Sequence, residues 1–155
     1  MIFRRPGGSG DQPPTIRDYA VQVEALLAAA SVNVEQARLA VEGGYGWRFQ
    51  RGSAIVQVYV VENDQRGYFQ VFAPILHLPA SGLLPIYRRM LELNLKLTSA
   101  ALGVHNDIVY VFSERLIDGL DADEANAMIN LVSGYADDLD NKLVAEFGGR
   151  LYSQV

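Results

Sequence analysis

Three consecutive stretches of alternating apolar and polar residues, separated by short polar turns, are the strongest constraint on the fold. The first, residues 45–50, alternates aromatic residues with glycine and polar residues, and the second, residues 53–62, is rich in β-branched side chains. The third covers residues 67–77. Alternation with a period of two is typical of strands with one buried face, and turns this short join antiparallel neighbours. The pattern predicts a three-stranded antiparallel meander.

Apolar residues at helical spacing lie on both sides of this meander. We expect a first helix over residues 16–30 and a second over residues 84–97. The last helix, over residues 122–147, carries the clearest signal, because Asp121 and Glu124 have the spacing of a capping box. Helices of this amphipathic kind pack one face on a sheet or on another helix.

The two remaining regions complete the element order. Residues 34–41 favour a short helix because Asn33 begins a capping-box pattern, and a strand beginning at Ala37 is the alternative. Residues 98–104 and 107–114 form a second hairpin that is apolar on both faces, which is usual for strands that are central or covered by a partner. The expected class is α+β with an antiparallel sheet, in the order helix, short helix, three strands, helix, two strands, helix.

Composition limits the classes of function. The chain has 155 residues, a net charge of −5 and no cysteine. Disulfides, thiolate catalysis and cysteine zinc sites are therefore excluded, and an acidic chain does not favour a nucleic-acid partner. No apolar run approaches the ~20 residues of a membrane span, so we expect a cytoplasmic protein without a membrane partner. Residues 1–14, rich in glycine and proline, are expected to be a flexible lead-in to a single domain over residues 15–155.

No pattern marks a catalytic, metal or cofactor site. His77 and His105 fall in separate predicted loops, and no H-E-x-x-H spacing exists. The cluster of Asp137, Asp138 and Asp140 lacks the glycine and distal glutamate of a calcium loop. There is also no phosphate loop and no G-x-S-x-G elbow. We expect a protein that is not an enzyme and holds no cofactor, although an enzyme whose residues no motif marks stays open.

Aromatic residues on the predicted strands are candidates for a binding surface. Most of them are expected in the core, and a minority can line an exposed groove for an apolar peptide. A polar amide within an apolar stripe, as at Asn94 of the second helix, must find partners, and we expect backbone groups where the helix leads into the next strand. The candidate client-binding residues are Tyr45, Trp47, Arg48, Phe49, Tyr68 and Phe72.

The second half of the chain resembles the YbjN family and, more broadly, the type III secretion chaperone-like fold. The likeness extends over residues 15–147 in element order, and its local motif covers residues 90–121. The features that match are the helix end Leu93-Asn94, the strand at residues 100–104, the turn Asn106-Asp107, the strand at residues 108–113 and the helix start Leu120-Asp121.

The resemblance implies helices packed on one side of a curved antiparallel sheet, and a homodimer that binds an extended segment of a client protein. It places the client on the first helix and the first meander. The function implied is a chaperone or adaptor in bacterial stress response or regulation. A small-molecule-binding domain and a structural subunit of a larger assembly are the alternatives. The dimer contact that the resemblance implies consists of Leu84, Tyr87, Met90 and Leu91.

Overall fold

The structure, a computed structural model, describes residues 12–152, so most of the expected flexible lead-in lies outside the described residues. The helices are α1 (Ile16–Ala29), α2 (Val34–Ala37), α3 (Leu83–Asn94) and α4 (Ala122–Phe147). The strands are β1 (Arg38–Leu39), β2 (Gly44–Arg51), β3 (Ala54–Asn63), β4 (Arg66–His77), β5 (Ala101–His105), β6 (Ile108–Leu116) and β7 (Arg150–Leu151).

The strands form one antiparallel sheet in the order β1-β2-β3-β4-β6-β5, with β7 paired to the end of β4. The predicted meander is confirmed as β2, β3 and β4, and the predicted second hairpin as β5 and β6. The α+β class and the antiparallel sheet are likewise confirmed. His77 is the last residue of β4, as the strand predicted over residues 67–77 requires, and not part of a loop. His105, predicted in a loop, is the last residue of β5.

Two short strands were missed by the favoured interpretation of the sequence, which had a helix over residues 34–41. The predicted helix over residues 34–41 ends at Ala37, because Arg38 is extended and pairs with Trp47 of β2. Both alternatives for this segment are therefore partly correct. The second missed strand, β7, follows Gly149, whose φ of +94° is a backbone conformation that favours glycine over other residues. A Cβ atom there would lie 2.3 Å from the carbonyl oxygen of His77.

The core lies between one face of the sheet and the helices α1 and α4. Pairing places Trp47, Val58 and Val71 side by side on this face, and all three are buried. The fully buried apolar residues contributed by the strands are Val56, Val58, Val60, Phe69, Val71, Ala73, Leu76, Val109 and Val111. The opposite face carries Tyr59, Phe72, Tyr110 and Phe112, which are only half-buried, and we call it the open face.

Asn94 closes the junction between α3 and β5. Its side-chain amide accepts a hydrogen bond from the backbone N–H of Leu102 at 2.7 Å and donates one to the Leu102 carbonyl at 3.3 Å. The expectation that this amide satisfies backbone groups is confirmed. Because β5 is an edge strand, the same two bonds occupy the backbone groups that another strand would use at Leu102.

Candidate functional site

The first exposed apolar surface is a groove between α1 and the first two strands. We call it the α1 groove, and its volume is about 300 Å³. Val21 on α1 is 62% exposed and Tyr45 on β2 is also exposed, and both line the groove. The groove lies beside β1, which forms one edge of the sheet. The other lining residues are Arg17, Ala20, Glu24, Arg38, Leu39, Gly44, Gly46 and Trp47.

An ion pair joins the two sides of the α1 groove. The Arg38 guanidinium donates to both carboxylate oxygens of Glu24, at 2.8 and 3.0 Å, and Trp47 Nε1 donates to the same carboxylate at 3.1 Å. These bonds favour the charged carboxylate, so the hydrogen bond from Arg38, with a smaller contribution from Trp47, holds the pKa of Glu24 below its ordinary value. Glu24 therefore fixes β1 and β2 against α1.

The outer side of α3 is the second surface, which we call the α3 ridge. Leu84, Leu91 and Leu95 are 79%, 70% and 91% exposed, and Tyr87 lies beside them. Met90 is only 5% exposed and packs in the core with Ile86 and Leu93. Met90 therefore faces inward, unlike the exposed Leu84 and Leu91 of the predicted dimer contact, which stays a prediction. Leu95 is a further exposed leucine on the ridge.

The third surface is on the open face of the sheet, and we call it the aromatic face. Pairing places Arg48, Gln57, Phe72 and Phe112 in one row across four strands. Phe72 stacks on Phe112 with the ring centroids 5.8 Å apart. It also makes edge contacts with Tyr59 at 6.0 Å and Tyr110 at 6.2 Å. All four rings are half-buried, so they present an apolar surface without being enclosed.

Over residues 18–155 the sequence matches the family described as "T3SS (YopN, CesT) and YbjN peptide-binding chaperone 1" (TY-Chap1). The chain belongs to this family. The fold is the chaperone-like fold that the resemblance implied, and the domain is a peptide-binding one of the chaperone kind. A comparison with curated proteins found no match.

Three solved structures of protein complexes are similar to this chain in fold at low sequence identity. One, titled as the ExsC-ExsE complex, has a TM-score of 0.56 at 15% identity and covers 79% of this chain and 94% of its own. The HopA1-SchA chaperone-effector complex has a TM-score of 0.58 at 8% identity and covers 83% and 99%. The heterodimeric ExoU-SpcU complex of Pseudomonas aeruginosa has a TM-score of 0.54 at 14% identity and covers 77% and 95%.

The predicted client-binding residues do not form one surface. Trp47 is 1% exposed and belongs to the core, although it also lines the α1 groove, so its contact with a client stays a prediction. Tyr45 lines the α1 groove and Phe49 packs beside the core near α1. Arg48, Tyr68 and Phe72 point to the open face by the register of their strands. The predicted residues outside the core thus lie on two of the surfaces described above. Val21, Tyr59, Tyr110 and Phe112 line the same surfaces and were not among the predicted residues.

Within residues 12–152 no group of three or more histidine and acidic side chains is arranged to hold a metal ion. Over the same residues, none of the helices combines the length and apolar character that crossing a membrane requires.

Proposed function

We propose that this TY-Chap1 protein is a non-catalytic homodimer that holds an extended segment of another protein in the α1 groove. The observation that carries the proposal is the family match over residues 18–155, because the family is one of peptide-binding chaperones. We further propose that it works in a bacterial cytoplasm, in stress response or regulation. The absence of cysteine is consistent with a reducing compartment.

The α1 groove suits an extended client for two reasons. Val21 and Tyr45 offer apolar contact area that is now in water, and burying such area is the main favourable term in association. The groove also runs beside the β1 edge of the sheet, where a client strand can add its backbone hydrogen bonds. The opposite edge is less suited, because the Asn94 amide already occupies the Leu102 backbone.

The α3 ridge supports the dimer part of the proposal. Its exposed leucines lie on one helix at positions 84, 91 and 95, and an apolar stripe of this kind in a protein surface marks an interaction site. A second copy supplies the same stripe, so two ridges can pack against each other across a two-fold axis. The ridge lies outside the α1 groove, which leaves the proposed client site open in the dimer.

The dimer is tested by sedimentation of the wild type and of a variant with Leu91→Asp and Leu95→Asp. Both positions are exposed, so the variant should fold, and it should sediment as a monomer where the wild type is a dimer. Val21→Asp is the matched control, because it adds a charge outside the ridge and should stay dimeric. A variant that remains dimeric at micromolar concentration would disprove the assigned contact.

The client site is tested by capture with tagged wild type, Val21→Asp and the control Asn130→Asp, which is exposed on α4. A client held in the α1 groove should be recovered equally by the wild type and the control. Recovery by Val21→Asp should fall about tenfold, because an unpaired carboxylate in an apolar contact costs more than about 1.4 kcal/mol. Equal recovery by all three proteins would place the client elsewhere.

A further inference from the structure

The aromatic face holds a cation that has no acidic partner in the described part of the chain. Arg48 is exposed on β2, and its guanidinium carbon lies 5.9 Å from the centre of the Tyr152 ring. The ion pairs among residues 12–152 use Arg38, Arg88, Arg89 and Arg115. Arg48 is therefore a charge held over the Tyr152 ring and available to an anion.

Phenol groups surround the same position. The pKa of Tyr59 is raised, first by burial and then by the nearby Tyr110, while Arg48 lowers it. Burial likewise raises the pKa of Tyr110, with a smaller effect from Tyr152. Both phenols therefore keep their protons at neutral pH and can donate hydrogen bonds. Within residues 12–152 neither hydroxyl has a backbone partner of the kind that Tyr19 and Tyr135 have.

An apolar groove of about 440 Å³ lies next to these donors on the aromatic face. Its floor is formed by Phe72 and Phe112, and Gly103 of β5 leaves it open, because a Cβ atom there would lie 3.2 Å from the Phe112 ring. Val104, which is exposed, and His105 complete one side. Phe72, which lines the groove, lies on the same row across the sheet as Arg48.

We propose that the aromatic face is a second binding site, separate from the α1 groove, for an extended protein segment that carries an acidic side chain next to an apolar one. The carboxylate pairs with Arg48 and accepts from the Tyr59 and Tyr110 hydroxyls, and the apolar side chain lies on Phe72 and Phe112. One guanidinium with neutral phenols matches a single negative charge, so a carboxylate fits better than a phosphate group.

A second copy of this chain fits the aromatic face less well than an acidic segment does. A copy offers the α3 ridge, with Arg88, Arg89 and Glu92 beside it. It also offers the α1 groove, whose charged lining residues are Arg17, Arg38 and Glu24. Two cations against one anion would bring positive charge to Arg48, and like charges disfavour docking. An acidic segment instead gives Arg48 the partner that the described chain lacks.

The proposal is tested by NMR titration of the ¹⁵N-labelled full chain with two short capped peptides. One has the central sequence Phe-Asp-Leu and the other has Phe-Asn-Leu, so the pair differs only in the charge. The Asp peptide should shift the amide signals of Tyr59, Phe72, Tyr110 and Phe112. Its affinity should also be at least about fivefold higher than that of the Asn peptide, because a charged acceptor strengthens the hydrogen bonds that Arg48 donates.

Variants show whether the discrimination comes from this site. Arg48→Gln should bind both peptides equally, and Tyr110→Phe, which removes only a hydroxyl, should reduce the preference. Arg66→Gln changes the net charge by the same amount at another exposed arginine and should keep the preference. Val21→Asp should also keep it, so a failure of the α1 groove as client site is distinguishable from a failure here.

Three results would overturn the proposal. Equal binding of the two peptides to the wild type would remove the role of the carboxylate. Shifts confined to residues outside the aromatic face would place the peptide elsewhere. Signals of the aromatic face that change with protein concentration before peptide is added would assign this face to contacts between copies instead.

Discussion

The substitution Trp47→Phe tests whether Trp47 stabilises the core. Trp47 is buried, and its Nε1 donates to the Glu24 carboxylate at 3.1 Å. Losing a hydrogen bond to a charged group costs about 1.5 kcal/mol at the lower end of the usual range, which suits a partly exposed acceptor. The smaller ring leaves a gap that costs a further ~1–2 kcal/mol. We therefore expect unfolding free energy to fall by about 3 kcal/mol.

Urea unfolding followed by far-UV circular dichroism measures this change at one fixed protein concentration. In thermal unfolding the same loss should lower Tm by about 6–12 °C, at ~2–4 °C per kcal/mol for a chain of this size. Tyr45→Phe is the matched control on the same strand, and because Tyr45 is exposed it should stay within ~0.5 kcal/mol of the wild type. A Trp47→Phe variant as stable as this control would refute the core assignment.

Two further perturbations test bonds seen in the structure. Asn94→Ala leaves the Leu102 N–H and carbonyl without their partner, so the free energy of unfolding measured in urea should fall by about 2 kcal/mol. The control Asn130→Ala, on an exposed face of α4, should change it little. Equal stability of the two variants would contradict the role of the Asn94 amide. The Glu24 pKa is lowered in the folded state from an ordinary value near 4.5, so its contribution is present above that pH and is lost as the pH falls through the folded pKa. The difference in stability between wild type and Glu24→Gln should therefore shrink on acidification below pH 4.5, and a difference that does not change with pH would contradict this linkage.

The sequence predicted the elements that depend on local periodicity. The period of two located the meander and the second hairpin, and the Asp121 cap located α4, where the side chain accepts from the Glu124 N–H. The two-residue strands β1 and β7 have no periodicity of their own. They exist because a longer strand, β2 or β4, lies alongside to pair with them, and this information is tertiary.

The binding surfaces were only partly predictable, because the side of the sheet to which a side chain points depends on the register between strands. Alternation shows that Tyr45, Trp47 and Phe49 share a face, but only pairing shows that Trp47 lies beside Val58 while Phe72 points to the other side. The direction of the apolar side chains on helix α3 was equally hard to predict. The helix carries two apolar stripes, and the sequence alone did not show that Met90 faces the core while Leu91 and Leu95 face solvent.

The most direct test of the account is site-specific photo-crosslinking in cells that express the protein. A photoreactive amino acid is placed at Val21 in the α1 groove, and at exposed Asn130 of α4 as control. If a client lies in the α1 groove, we expect one short segment of another protein to be crosslinked from Val21 and not from Asn130. Crosslinks from Val21 only to a second copy of the chain, or equal crosslinking from both positions, would contradict the claim that the α1 groove holds a client.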